Sequence, residues 1–143
     1  MKPSTACLEF VKSFEGFREH AYYDTGHVLT IGYGTTEHVQ LGDTVTEKEA
    51  CELLANDLQE AADAVNDLVD VELSQSQFDA LCSFVYNVGR SAFAGSTLLK
   101  LVNQSQFDAA APQFDRWNHD NGVVIAGLTR RRAAERAMFE GVA

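Results

Sequence analysis

Residues 14–35 read FEGFREHAYYDTGHVLTIGYGT, and this stretch decides the fold class of the chain. From Phe17 onward it is rich in Tyr, Gly, Val, Thr and Ile, residues that favour strands and tight turns. Residues 24–26 are Asp-Thr-Gly, typical of a turn, and residues 27–33 have the composition of a strand. The sequence therefore predicts a small β-hairpin or three-strand unit near the start of the chain.

The segments on either side of this β unit have helical periodicity. Residues 4 to about 15 carry a Ser4 start signal and apolar residues at helical spacing. Thr46 and Glu49 have the spacing of a capping box before a long helix of about 24 residues, and Ser74 and Gln77 repeat that spacing. Further helices are predicted over 96–103, over 105–115 with a kink or break at Pro112, and over 128–139, with a short hairpin over 120–125. The predicted fold class is α+β.

Length and composition exclude several classes of protein. The chain has 143 residues, 45% of them hydrophobic and 22% charged, which suits one domain or two small lobes and excludes a disordered or fibrous chain. No apolar run approaches the roughly 18 residues of a membrane span, and no signal peptide or membrane anchor is visible. The net charge of −10 argues against nucleic acid as a partner, because nucleic-acid binding depends on Lys and Arg.

The negative charge is concentrated in one segment. Residues 43–79 hold eleven acidic residues and one basic residue, whereas the rest of the chain holds ten of each. We expect this acidity to lie on the solvated face of the long helix, away from any cleft.

Neither cysteine nor histidine spacing predicts a metal or a cofactor. The three cysteines, Cys7, Cys51 and Cys82, are expected to be buried thiols, and a single bridge between two of them is the open alternative. The four histidines lack the spacing of zinc ligands and are expected at the surface: His20, His27, His38 and His119.

Two carboxyl groups and a hydroxyl near the β unit are candidates for chemistry. Glu15 follows Phe14 in an apolar helical stripe, so we expect it against apolar surface, which disfavours the charged form of a carboxyl. Asp24 lies in a turn that supplies amide donors and is expected to stay ionised, and Thr30 is placed to hold a water molecule. Two carboxyls in contrasting environments are the pattern of glycoside cleavage, although the spacing alone is also common among solvated carboxyls.

These residues resemble the active-site region of phage-type lysozymes, glycoside hydrolase family 24. Eight residues separate Glu15 from Asp24 and five separate Asp24 from Thr30, as in the triad of that family. The resemblance continues through most of the chain in GDTVT at 42–46, FVYNVG at 84–89, WN at 117–118 and GLTRRRAAE at 127–135.

The resemblance implies a lysozyme-like fold and a muramidase. We expect one domain over 1–143, with a β lobe at about 16–45, a linking helix at about 46–70, and a helical lobe at about 71–143 that includes helix 4–15. The implied reaction is hydrolysis of the β-1,4 bond between N-acetylmuramic acid and N-acetylglucosamine in peptidoglycan, with inversion at the anomeric carbon. Glu15 is then the general acid, Asp24 activates water or stabilises the transition state, and Thr30 helps to hold the water.

Three further site residues come from the same resemblance. Tyr86 and Asn87 fall where the family lines its cleft, with a helix-end residue in the core as the alternative interpretation. Arg131 is predicted to be the cationic partner of Glu15, and its neighbours Arg130 and Arg132 are expected to be solvated.

The resemblance also implies a setting for the protein. Its partner is the peptidoglycan glycan strand, and a monomer is expected to wait in the host cytoplasm until a separate membrane pore protein releases it to the wall. Two other functions stay open: a lytic transglycosylase, which lacks the Asp and Thr partners, and a lysozyme-fold wall-binding protein without activity.

Overall fold

A computed structural model of the chain describes residues 1–142. The helices are α1 (Thr5–Glu15), α2 (Glu47–Leu68), α3 (Gln75–Val88), α4 (Arg90–Ala94), α5 (Thr97–Asn103), α6 (Phe107–Ala110) and α7 (Ala126–Phe139), with a 3₁₀ helix over Ala111–Arg116. The strands are β1 (Arg18–Tyr23), β2 (Leu29–Gly32), β3 (His119–Asp120) and β4 (Val123–Val124). The α+β prediction is confirmed.

Helix α1 begins and ends where the sequence indicates. The Ser4 hydroxyl accepts a hydrogen bond from the Cys7 amide, and Gly16 ends the helix with a φ of 69°. A positive φ favours glycine, so the chain turns sharply here without steric cost. Glu15 is therefore the last residue of α1, at the junction with the β unit.

The β unit is a short antiparallel hairpin. Strands β1 and β2 pair with Tyr22 opposite Thr30 and Tyr23 opposite Leu29, and an irregularity separates these pairs from the Arg18–Gly32 pair. The strand predicted over 27–33 is shorter, because residues up to Val28 belong to the turn that Asp24 organises. An isolated bridge between His20 and Thr44 adds a third segment to the unit.

The long helix α2 joins the β unit to the helical part of the chain. Both predicted capping boxes are confirmed: Thr46 and Glu49 exchange hydrogen bonds at the start of α2, and Ser74 and Gln77 do the same at α3. The 22 residues of α2 span about 33 Å. One face of α2 is buried, so it packs against both β2 and α3.

Helix α3 is the centre of the helical part. It packs against α1, α2 and α7, and its Phe84 ring makes edge contacts with Phe93, Phe114 and Trp117. Such aromatic pairs stabilise a core beyond the area they bury.

The structure refines the helix predictions at three places. The predicted break at Pro112 is confirmed, since α6 ends at Ala110 and a 3₁₀ helix follows, because Pro112 lacks the amide hydrogen that an α-helix needs at that position. Helix α4 was not predicted, since its five residues are too short for a periodic signal. Helix α7 begins at Ala126, two residues before the predicted start.

The cysteines are thiols. Cys7 and Cys82 are buried, Cys51 is half-buried, and none of the three forms a disulfide. Burial raises the pKa of Cys7 to about 12, so this thiol stays protonated and behaves as a small core residue. Across residues 1–142, no helix is both long enough and apolar enough to cross a lipid bilayer.

Candidate active site

The Glu15 carboxylate is ion-paired. Its Oε2 atom accepts a hydrogen bond from Arg131 Nη1 at 2.6 Å, and the Arg131 side chain is 4% exposed against 22% for Glu15. Glu15 is half-buried at the C-terminus of α1, where its carboxylate meets a buried cation from α7. Arg131 is the partner that the family resemblance predicts, and the structure brings the two side chains together across 116 positions of sequence.

The Arg131 guanidinium is itself held by α3 and by its own helix. Nε donates to Glu135 Oε2 at 3.3 Å, and Nη2 lies 3.3 Å from both the backbone oxygen and the hydroxyl of Ser83. The Ser83 hydroxyl donates to the same Glu135 oxygen at 2.6 Å. The Phe14 ring covers the guanidinium, with its centroid 5.6 Å from the Arg131 Cζ atom.

Arg132 corrects a second expectation, since it is buried rather than solvated. It donates to the Asn87 side-chain oxygen, its Nη1 lies 3.1 Å from Glu135 Oε1, and its Cζ lies 5.1 Å from the centre of the Phe84 ring. Burial lowers the pKa of Arg132 and raises that of Glu135, while the two guanidinium groups oppose the rise. Arg130 is exposed, as expected.

Asp24 and Thr30 lie in the hairpin. Asp24 Oδ1 accepts hydrogen bonds from the amides of Gly26 at 2.9 Å and Val28 at 2.8 Å, which confirms the expected supply of amide donors. Thr30 is 4% exposed and donates its hydroxyl hydrogen to the Val28 carbonyl at 2.9 Å. This leaves the Thr30 oxygen free to accept a hydrogen bond.

Glu15 opens onto a cleft between the β unit and the helices. The cleft has a volume of about 600 Å³, and predicted site residues Glu15, Tyr86 and Asn87 line it. Asp24 and Thr30 are not among the lining residues of this cleft in the described part of the chain. A second depression of about 480 Å³ shares Glu15 and Asn87 with the cleft and is also lined by Arg131. Glu15 thus borders two depressions.

Gly34 allows the β unit to approach Glu15 closely. Its φ is 103°, and a Cβ atom built there would lie 3.0 Å from Glu15 Oε1 and 3.2 Å from the Tyr86 hydroxyl oxygen. That hydroxyl donates to the Tyr33 carbonyl at 3.2 Å, and burial raises the pKa of Tyr86. Tyr86 therefore connects α3 with the β unit beside the candidate acid.

Three acidic residues in the cleft were missed by sequence reasoning. Glu37, Asp57 and Glu60 line it, and the last two come from α2. The expectation that the acidic face of α2 lies away from the cleft is therefore wrong for these positions, because α2 forms one wall of the cleft. A helical wheel of α2 shows which acidic residues lie beside its apolar stripe. Together with the position of the β unit, it could have identified Asp57 and Glu60 as cleft residues.

Asp57 contacts the β unit directly. Its Oδ2 atom accepts a hydrogen bond from the Thr35 hydroxyl at 2.9 Å. Burial raises the pKa of Asp57, and Glu60 and Glu37 add to this rise, whereas the hydrogen bond from Thr35 opposes it. The pair of Thr35 and Asp57 is thus a contact between the two walls.

The arrangement suits acid–base chemistry at the Glu15 carboxyl group. Between Met1 and Val142 there is no cluster of three or more His, Cys, Asp or Glu residues arranged to hold a metal ion. A carboxyl group beside an open cleft, paired with a buried cation, can donate and recover a proton.

Comparisons with known proteins give a consistent result. The phage lysozyme family model matches residues 12–135. The chain is 44% identical to the endolysin of Bacillus phage B103, and the match covers 97% of this chain and 54% of that endolysin. It is 42% identical to the endolysin of Salmonella phage P22, and this match covers 97% of this chain and 98% of that endolysin. The muramidase domain of SpmX from Asticaccaulis excentricus superposes with a TM-score of 0.91 at 43% identity, covering 96% of this chain and 97% of that domain.

The relatives differ in length. The chain spans about half of the Bacillus phage endolysin, and nearly all of the Salmonella phage endolysin. The similarity therefore covers nearly the whole Salmonella phage endolysin but only part of the Bacillus phage endolysin.

Proposed function

The chain belongs to the phage lysozyme family, and we propose that it is a muramidase that cleaves the β-1,4 bond between N-acetylmuramic acid and N-acetylglucosamine to lyse the bacterial host wall. The observation that carries this proposal is the Glu15 carboxylate, which lines the cleft while it is held at 2.6 Å by Arg131. The sugar chain lies in the cleft that Glu15 lines.

Glu15 acts as the general acid in this proposal. It donates its proton to the leaving glycosidic oxygen, and Arg131 stabilises the carboxylate that results. Asp24, oriented by its amide donors, activates water or stabilises positive charge at the anomeric carbon, and Thr30 helps to hold the water. Inversion at the anomeric carbon follows if a water molecule fits between Glu15 and Asp24.

Tyr86 and Asn87 contact the substrate in this proposal. The Asn87 oxygen already accepts from Arg132, so its amide nitrogen is the group left to donate to a sugar acetamido oxygen. The Tyr86 ring offers an apolar face to a sugar ring at the wall of the cleft.

Glu15→Gln tests the proposal. The amide cannot donate the acid proton, so we expect the release of reducing ends from purified peptidoglycan to fall by at least about a hundredfold. Glutamine can still accept from Arg131, so the melting temperature should change little. Glu9→Gln, at an exposed position of α1, is the matched control and should keep full activity. Wild-type activity in Glu15→Gln would show that Glu15 is not the acid.

Product analysis separates hydrolysis from the two alternatives. A muramidase leaves a reducing N-acetylmuramic acid, whereas a transglycosylase leaves a 1,6-anhydro end that is 18 mass units lighter by the loss of water. Mass spectrometry of digested peptidoglycan reads this difference, and NMR of the first product anomer reads inversion. Anhydro products would favour the transglycosylase, and binding to the wall without any product would favour the inactive binding protein.

The route to the wall stays a prediction. We expect the protein to collect in the host cytoplasm and to lyse cells once a separate pore protein opens the inner membrane. Cell fractionation before and after chloroform permeabilisation tests this expectation. Lysis by the protein alone would contradict it.

A further inference from the structure

Helices α3 and α7 bury a polar cluster directly behind Glu15. Ser83 on α3 and Glu135 on α7 are both fully buried, and Arg131 is nearly so. Buried charges are costly unless they are paired and hydrogen-bonded, so a cluster of this kind requires a structural or a functional reason.

The contacts of the cluster converge on one guanidinium. Glu135 Oε2 receives hydrogen bonds from Arg131 Nε and from the Ser83 hydroxyl, and Arg131 Nη2 lies against the Ser83 oxygens. Together these contacts fix the inner edge of the guanidinium. The outer edge, Nη1, is thereby aimed at Glu15 Oε2.

The charges also balance across the cluster. Glu135 contacts both buried arginines, Arg131 through Oε2 and Arg132 through Oε1. With Glu135 neutral, two adjacent guanidinium groups would face each other with no carboxylate between them. Their repulsion would push Arg131 out of its position, toward the cleft.

We propose that Glu135 and Ser83 are positioning residues that hold Arg131 against Glu15 and so set the orientation of the catalytic acid. The kinetic part of this inference rests on the proposed function, whereas the geometric part does not. Neither residue lines the cleft, so both act through Arg131 rather than on the substrate.

Crystal structures of the wild type, Ser83→Ala and Glu135→Gln test the geometry without any assay of activity. We expect the Arg131 guanidinium to move by more than about 0.5 Å, the tolerance of a preorganised site, and its 2.6 Å contact with Glu15 to be lost in Glu135→Gln. Ser83→Ala should show a smaller shift in the same direction. An unmoved guanidinium in both variants would overturn the proposal, whether or not the wild type cleaves peptidoglycan.

Kinetics on soluble peptidoglycan fragments test the consequence. We expect Glu135→Gln to lower kcat on the order of tenfold or more with KM within about twofold of the wild type, because a misplaced acid slows the chemical step. Glu140→Gln, which removes an exposed carboxylate just beyond α7, is the matched control and should leave both constants unchanged. Assays are run where circular dichroism shows every variant fully folded, and Ser83→Ala serves as the milder variant.

A double-mutant cycle separates positioning from general support of the fold. If Glu135 acts through Arg131, then Arg131→Gln/Glu135→Gln should have the same kcat as Arg131→Gln within about twofold. If the fold-losses in kcat of the two single variants multiply in the double variant, or if only KM changes, the proposed role is overturned. Absence of wild-type hydrolysis would instead refute the proposed function and leave the crystallographic result to decide the geometry.

Discussion

Glu15 is fixed from two sides, and each side depends on a single residue. On the helical side Arg131 binds the carboxylate, and on the β side Gly34 leaves just enough room for it. Because Tyr86 shares that space, a change in volume at position 34 affects the Glu15 carboxylate and the cleft wall together.

Gly34→Ala tests this crowding. The positive φ makes alanine cost about 1–3 kcal/mol of stability, and the new methyl group displaces Glu15 or Tyr86, so we expect hydrolysis to fall on the order of tenfold or more. Gly42→Ala is a matched control, because its φ of 97° imposes similar strain with no atom within 4 Å of the added Cβ. Both variants should lose stability in urea unfolding, while only Gly34→Ala loses activity; equal activity in the two would refute the crowding.

Asp57 makes stability depend on pH. Its pKa is raised by burial, so the folded state binds this proton more tightly than the unfolded state does. The contribution of Asp57 therefore favours folding below its ordinary pKa of 3.8 and is lost as the pH rises through the folded value. We expect Asp57→Asn to melt at a higher temperature than the wild type at pH 7, with the difference shrinking toward pH 4.

The control for this prediction is Asp63→Asn, at an exposed position of the same helix. It should show no such pH-dependent gain in thermal melts. A lower melting temperature of Asp57→Asn at pH 7 would mean that the hydrogen bond from Thr35 outweighs the burial of the charge.

At the scale of elements, local chemistry explains what the sequence could predict. The two capping boxes lie within four residues, so Thr46, Glu49, Ser74 and Gln77 reveal the starts of α2 and α3 without knowledge of the fold. The division after Asn103 is equally local, because it follows from Pro112, whereas the five residues of α4 are too few for a periodic pattern. The contact of Asp57 is not local, since its partner Thr35 lies outside α2.

Thr46→Ala measures what one of these caps contributes. The Thr46 hydroxyl accepts a hydrogen bond from the Glu49 amide. Loss of this hydroxyl should lower the free energy of unfolding by about 1 kcal/mol in urea titrations. Thr46→Ser keeps the hydroxyl and should restore most of that loss. The hydrolysis rate of the folded enzyme should be unchanged in both, and a large loss of activity would show that the start of α2 contributes to the site.

At the scale of the whole molecule, the site combines parts that the sequence treats separately. The spacing of Glu15, Asp24 and Thr30 is readable because the hairpin is local, and the pairing of Arg131 with Glu15 could be anticipated from family resemblance alone. The burial of Arg132 and Glu135 could not, since charged residues are exposed by default and their partners on α3 come from 45 or more positions away.

The net charge of −10 now bears on the cleft itself. Glu15, Glu37, Asp57 and Glu60 line it together with one cation, Arg90, and the peptidoglycan wall is also anionic. Like charges repel less when salt screens them, and the Debye length falls from about 30 Å at 10 mM to about 8 Å at 150 mM salt. We therefore expect wall hydrolysis to rise or stay level between these salt concentrations.

Glu37→Gln/Glu60→Gln should flatten this salt response, because it removes two of the repelling charges from the cleft. Asp63→Asn/Asp108→Asn removes the same number of charges from exposed positions outside the cleft and should respond to salt as the wild type does. The measurement is the initial rate of reducing-end release from purified walls across a salt series. A steep fall in the wild-type rate with added salt would indicate that cationic residues drive binding to peptidoglycan. It would contradict the expectation that the acidic residues of the cleft repel the substrate.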